Sequence, residues 1–206
     1  MKVVYFDTET TALKPGQIGQ LTAIIEEDDK IKALNYFFEV DTVHPDVTAA
    51  LGRDVEFYKQ RANGIKFKDK AQEIQELFNG ATFVAHNLKF DENFLSSELW
   101  KCGLIATPSS KFDTMEYYKP IIKATNRYGR LKNPKLVEVV EGLKLDEEKI
   151  KKYSIQLFED PEGIDYHDSR YDTTVVYVIS QIAREFQAGL NMGPWYKTFI
   201  RQLSDN

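Results

Sequence analysis

The stretch VVYFDTETTALKPG, starting at Val3, runs four apolar residues straight into two acids, Asp7 and Glu9. Residues two apart in extended backbone point to the same side, so both carboxylates project together beyond Val3 and Tyr5. Alone, such a pair reads as a polar loop after a strand. Two further acids break that reading. Asp172 lies three and four residues ahead of Val175 and Val176, on the stripe that continues through Ile179, Ala183 and Phe186. Asp91 heads the stripe Phe94, Leu95, Leu99 and Cys102 by the same spacing. An unpaired carboxylate facing a core is expensive and rare. A helix dipole accounts for Asp91, and a partner cation or a solvated groove accounts for Asp172. A cation shared by all four acids accounts for their common placement at element ends. Oxygen ligands without cysteines suit Mg²⁺ or Mn²⁺ rather than structural zinc.

His167 stands five residues before Asp172, in YHDSRYD. By itself it reads as a loop residue or cap, and beside a metal site it is a candidate general base. His44 falls in a predicted loop. His86 follows the Ala81–Ala85 strand in AHNLKFD, where a local hydrogen bond or a role in positioning the strand end are both open.

The elements that must carry these groups follow from periodicity and turn residues. Strands are predicted at Val3–Phe6, Gln17–Glu26, Ile31–Val40, Ala81–Ala85 and Lys111–Asp113, with Glu27–Lys30 as a hairpin turn. Helices are predicted at Lys68–Phe78, from Phe90 to Cys102, and around Met115–Ala124, Pro134–Glu141 and Glu147–Phe158. Asp168–Gln187 is the longest predicted helix, and Pro194–Leu203 adds another. A strand meander followed by alternating strands and helices implies an α/β chain with a mixed sheet and helices packed on it.

The 206 residues fit one domain, 1–206, with no repeat, linker or further domain expected. A single cysteine excludes an intrachain disulfide framework and a cysteine-rich zinc site, and it fits a cytoplasmic setting. No apolar segment suggests a signal peptide or membrane span, so no membrane association is expected. The net charge of −5 means that a polyanion partner needs a local basic patch, or metal ions to offset the acids. One such patch exists. Tyr118 to Val137 contains no acid but six basic residues, among them Arg127, Arg130 and Lys132, with Tyr118 and Tyr128 interleaved. It reads either as phosphate contacts with a stacking aromatic or as a solvated loop.

In order along the chain, FDTET, AHNLKFDENFL and YHDSRYD resemble the three exonuclease motifs of the DnaQ-like DEDDh 3′–5′ exonucleases, which include proofreading exonucleases, oligoribonuclease and ribonuclease T. The resemblance spans Asp7 to Asp172. It implies a ribonuclease H-like fold with a mixed five-stranded sheet flanked by helices. It also implies two Mg²⁺ or Mn²⁺ ions held by Asp7, Glu9, Asp91 and Asp172, with Asp7 between them. His167 occupies the position of the family's histidine base, and Asp168 stands where the sister subtype has tyrosine. Thr10, Thr11 and Leu13 match positions that hold the terminal nucleotide, although turn residues and a core leucine would read the same way. His86, Asn87 and Phe94 join them as candidate substrate contacts, with Arg127, Arg130 and Lys132 further along the strand. Asp113, in KFDTMEYY, matches a structural aspartate. Ala12 replaces the family's usual glycine, and Gln20 stands where strand two often carries an acid.

The implied activity is release of nucleoside 5′-monophosphates from the 3′ end of single-stranded DNA or RNA, with a DNA polymerase as a candidate partner. The rivals are a catalytically silent nucleic-acid-binding module on the same fold, a short-RNA-specific exoribonuclease and a nucleotide phosphohydrolase. A silent module would have lost a ligand or the histidine, and a phosphohydrolase would lack the His167–Asp172 spacing.

Overall fold

In the computed structural model, residues 1–14, 16–28, 30–162, 164 and 167–187 are described. The strand that carries the first acids, β1 (Val3–Thr10), lies in the middle of the sheet. β2 (Ile18–Glu27) pairs antiparallel with it and β3 (Lys30–Phe37) antiparallel with β2. On the other side β4 (Thr82–Ala85) and β5 (Ser110–Asp113) add parallel, giving a mixed five-stranded sheet in the order β3-β2-β1-β4-β5. This is the sheet that the sequence motifs implied.

The two sides of β1 separate two cores. Val3 and Tyr5 face α5 (Thr114–Ile122), α6 (Leu136–Gly142), α7 (Glu147–Phe158) and α8 (Ser169–Gln187). Val4 and Phe6 face α3 (Phe67–Phe78) and α4 (Leu88–Lys101). Each of these side chains is removed almost wholly from water, which contributes roughly 1.5–3 kcal/mol apiece. The alternation that builds the cores therefore also decides which helices meet each residue near the end of β1.

The strand lengths matter for the site. β1 pairs with β4 only from Val3 to Tyr5, whereas its pairing with β2 continues to Thr10. The Asp7–Thr10 end consequently outruns β4 and is held in the sheet by β2. The acids lie inside a strand longer than the predicted Val3–Phe6, because antiparallel pairing continues wherever β2 supplies partners.

Other departures have local causes. α1 (Pro45–Leu51) and α2 (Val55–Ala62) were not predicted. α1 buries none of its residues, so it has no apolar stripe to read, and α2 is anchored by Tyr58 and Ala62 alone. β3 stops at Phe37, after which Phe38 and Glu39 donate to Gly19 and Ile65. Phe186, placed on the α8 stripe by spacing, is 58% exposed. The predicted Pro194–Leu203 helix lies outside the described residues. Among the described residues, no helix is long and apolar enough to cross a membrane.

Candidate active site

Asp7 and Glu9 lie opposite Thr22 and Gln20 of β2, on the side of the sheet that α8 covers. Asp172 enters from the first turn of α8. One carboxylate oxygen from each of Asp7, Glu9 and Asp172 falls within a single 4.8 Å cluster. Ser169, at the start of α8, donates through its hydroxyl to the Asp7 carbonyl at 2.8 Å, which ties the helix to the strand. Oδ1 of Asp172 is buried and has no hydrogen-bond partner among the described residues.

Asp91 arrives from the opposite side. It lies in the first turn of α4, and its Oδ1 accepts from the Thr8 amide at 2.9 Å and the Thr8 hydroxyl at 2.7 Å. Thr8 points toward α4 because its neighbours Asp7 and Glu9 point toward α8. The acid–Thr–acid sequence thus serves both sides of the sheet at once. This explains why Asp91 stands apart from the three-carboxylate cluster while still sensing the charge of Asp7.

The electrostatics are those of crowded carboxylates with too little counter-charge. Burial pushes Asp7 up to about 6, with the negative charge of Asp168 adding to it. Burial also raises Glu9, Asp91 and Asp172 well above the usual carboxylate range, and the charge of Asp7 reinforces each shift. Such a set holds protons or cations, since ionising all four without either is costly. Convergent oxygen donors, mutual repulsion and an unpartnered carboxylate oxygen all fit a hard divalent cation.

Arg53 supplies the positive charge at this site, and sequence reasoning missed it. It lies just after α1, with its side chain 10% exposed. Its guanidinium is 3.7 Å from Glu9 and 4.0 Å from Asp168, and it donates to Gln20 Oε1 at 3.2 Å. It also donates to the backbone carbonyl of His167. Gln20, which occupies the strand-two position opposite Glu9, therefore links Arg53 with Asn35 and Asp168.

His167 itself is exposed, and its backbone is left-handed at φ +66°. The residues after it are buried. Asp168 accepts from the amide and side chain of Arg170, a fully buried arginine that also pairs with Asp160. The charged letters of YHDSRYD carried no sign of this, because an arginine reads as a surface residue until its partners are known.

The remaining candidates divide into tied and free groups. Thr10 and Thr11 are buried, and Thr11 closes the turn after β1 through its hydroxyl, which accepts from Gln17 at 2.9 Å. Leu13 is 79% exposed, so the core-leucine reading is excluded. Phe94 is buried beneath the turn, where a Cβ on Gly16 would come within 3.2 Å of its ring. Asn87, left-handed at φ +69°, caps α4 with an exposed side chain and donates through its amide to Asp113. Asp113 also accepts from Leu88 and Met115, which makes it the brace between α4 and α5. His86 is engaged on both ring nitrogens, by the Thr114 hydroxyl and the Pro134 carbonyl, each at 3.0 Å. Burial pulls its pKa down.

The basic stretch forms a short turn rather than an open loop. Thr125 bridges Leu131, and the Asn126 side chain accepts from the amides of Tyr128 and Arg130. Arg127 lies over the Tyr128 ring at 4.7 Å, and both are exposed, as is Arg130. Lys132 is different, since its ammonium is bound to the Glu138 carboxylate.

Known proteins resemble both the sequence and the fold. A family model described as Exonuclease (RNase_T) matches residues 4–150, which include Asp7, Glu9 and Asp91 and end before His167. The 3′-5′ exonuclease DinG of Bacillus subtilis (strain 168) is 30% identical over 152 residues, covering 70% of this chain and 15% of that protein. DinG of Staphylococcus epidermidis is 38% identical over 53 residues, covering 26% of this chain and 6% of that protein. This chain therefore spans a small part of the curated relatives it matches. Among solved structures, exonuclease I from Methylocaldum szegediense superposes with a TM-score of 0.68 at 14% identity, over 91% of this chain and 41% of that one. Escherichia coli exonuclease I in complex with a dA16 oligonucleotide gives 0.65 at 13% identity, over 87% and 40%. At such identities the likeness establishes the fold. The family rests on the sequence match across residues 4–150, and by that match the chain belongs to the DnaQ-like exonuclease family.

Proposed function

We propose that this protein is a metal-dependent 3′–5′ exonuclease of the DEDDh type, acting on single strands and releasing nucleoside 5′-monophosphates. The observation that carries the reading is the meeting of Asp7, Glu9 and Asp172 within 4.8 Å, on two elements joined by the Ser169–Asp7 hydrogen bond. Asp91 completes the set from the other side of the sheet. These four residues would hold two Mg²⁺ or Mn²⁺ ions, whose positive charge would polarise the scissile phosphate and offset the charge that develops there.

The chain's own groups supply the rest. His167, exposed just ahead of α8, takes the proton from the attacking water on its neutral imidazole. The β1 strand, held along its whole length by β2, fixes Asp7 and Glu9 so that they need not reorganise during the reaction. Leu13 and the Thr10–Thr11 turn border the place for the terminal nucleotide, and the exposed Arg127, Tyr128 and Arg130 meet the phosphates and bases further along. The oligonucleotide bound by Escherichia coli exonuclease I supports single-stranded DNA as the first substrate to test.

The test compares labelled single-stranded DNA, duplex DNA and short RNA with Mg²⁺, with Mn²⁺ and with chelator, for wild type and Asp7→Asn. Shortening from the 3′ end, lost in chelator and in Asp7→Asn, is the expected result. Full activity in chelator or in Asp7→Asn refutes the reading. A preference for free nucleotides over strands would favour a phosphohydrolase.

A further inference from the structure

The left-handed backbone of His167 raises the question of what holds it. A non-glycine residue keeps this conformation only where its surroundings over-determine it. Two buried arginines surround the turn. Arg170 secures the residue on its helix side through Asp168, and it also donates to the carbonyl of Glu162. Arg53, from a distant part of the chain, donates to the carbonyl of His167 itself.

Arg53 is well placed for more than neutralising charge. One of its terminal nitrogens faces Glu9 and Gln20, and the other faces His167 and Asp168. A single planar group thereby spans the acid end of β1, strand β2 and the turn before α8. Its Cζ lies over the Phe57 ring, 5.4 Å from the centroid, a cation–π contact. Lysine has one point of charge and cannot bridge two such sets at fixed separation.

The geometry points to Arg53 as the positioning residue for His167, locking the histidine's backbone in register with the acid end of β1 so that its imidazole stands over the reacting water. The inference rests on the exonuclease reading and adds a residue to it. Arg53 touches no reacting atom in this role and acts through the histidine.

The experiment uses the full chain with Mg²⁺ and a single-stranded DNA substrate, in Arg53→Met, Arg53→Lys, His167→Ala and the double variant Arg53→Met with His167→Ala. A misplaced supporting shell typically costs about 10–100-fold, so both Arg53 variants should lose about that in kcat. KM should stay within about twofold, because binding is not the step affected. In the His167→Ala background the same Arg53→Met change should cost less than about threefold, since residues that act through one another are not additive. NMR of the three histidine rings gives a readout independent of turnover. With the His167 signal assigned through His167→Ala, Arg53→Met should move or broaden it and leave those of His44 and His86 in place.

An equal kcat loss with and without the imidazole overturns the inference. So does a loss confined to KM, an unmoved His167 signal, or loss of cooperative folding in both Arg53 variants, which would make the arginine a structural cation. The underlying reading fails separately. Wild type without hydrolysis, or His167→Ala at wild-type turnover, removes the base and this inference with it, whatever the Arg53 variants do.

Discussion

Asp7→Asn removes one charge from the carboxylate cluster with little change in shape, and without metal it should make the protein more stable. In the fold, burial and the charge of Asp168 push the Asp7 carboxyl up to about 6, against an ordinary 3.8. The stability linked to such a raised carboxyl is fully present below 3.8 and is lost as pH rises through about 6. At pH 7.5 the wild type therefore carries the whole penalty, which is roughly 3 kcal/mol at 1.36 kcal/mol per pH unit. Asp7 is only half-buried, and water reaching it reduces the expected gain in Asp7→Asn to about 1–2 kcal/mol. For a chain of 206 residues that is a rise of roughly 2–8 °C in Tm.

Thermal unfolding in chelator at pH 7.5 and pH 5 checks both the sign and the cause. At pH 5, below the raised Asp7 value, the wild type has regained part of the linked stability, so the mutant's advantage should shrink. His86, buried with a lowered pKa, works the other way as pH falls through 6.5, but equally in both proteins, so it cancels from the difference. Glu26, Glu73 and Glu138 are lowered by hydrogen bonds from Arg184, Tyr36 and Lys132 in both proteins, so they cancel likewise. Mg²⁺ should reverse the ranking, because the wild type has the stronger ligand set. An Asp7→Asn protein no more stable than wild type in chelator at pH 7.5, or an advantage that stays constant to pH 5, would refute the crowded-carboxylate account.

The other predictions concern His167, the basic turn and the packing beneath the sheet. His167→Ala should keep strand binding and lose roughly 10²–10⁴-fold in kcat, and single-turnover kinetics beside a binding titration separates the two. Arg127→Ala with Arg130→Ala should weaken single-strand binding and lower its salt slope by roughly 0.7 per lost phosphate contact. Lys132→Ala, whose ammonium already serves Glu138, should change that slope little; an equal effect from all three would contradict the pairing. In Gly19→Ala the new Cβ would come within 2.3 Å of the Tyr58 ring, so denaturant unfolding should show a loss of about 1–3 kcal/mol.

Much of the site was legible because its determinants are local. Alternation along VVYFDTET places Asp7 and Glu9 on one side whatever the partner strands are, and helical spacing places Asp172 and Asp91 at the heads of their stripes. The same local rules predicted β1 to β4 close to where they occur, because each has an apolar face of period two or a short buried run, whereas β5 was placed to within a residue although none of it is buried. α1 escaped because it buries nothing, and a helix without an apolar face leaves no periodic mark.

What the tertiary structure decided is the fate of charges and polar groups whose partners lie far along the chain. Arg53 and His167 are 114 residues apart, and no spacing rule joins them. Lys132 read as a candidate phosphate contact until Glu138 was beside it, and for His86 a substrate contact, a local hydrogen bond and strand-end positioning all stayed open until Thr114 and Pro134 engaged both ring nitrogens. Thr8, an unremarked residue between two acids, became the tether for Asp91 only when α4 packed against the far side of the sheet. Apolar burial can be read from periodicity because water drives it in the same direction everywhere along the chain. A buried charge depends on a particular partner at a particular distance, and folding alone brings the two together.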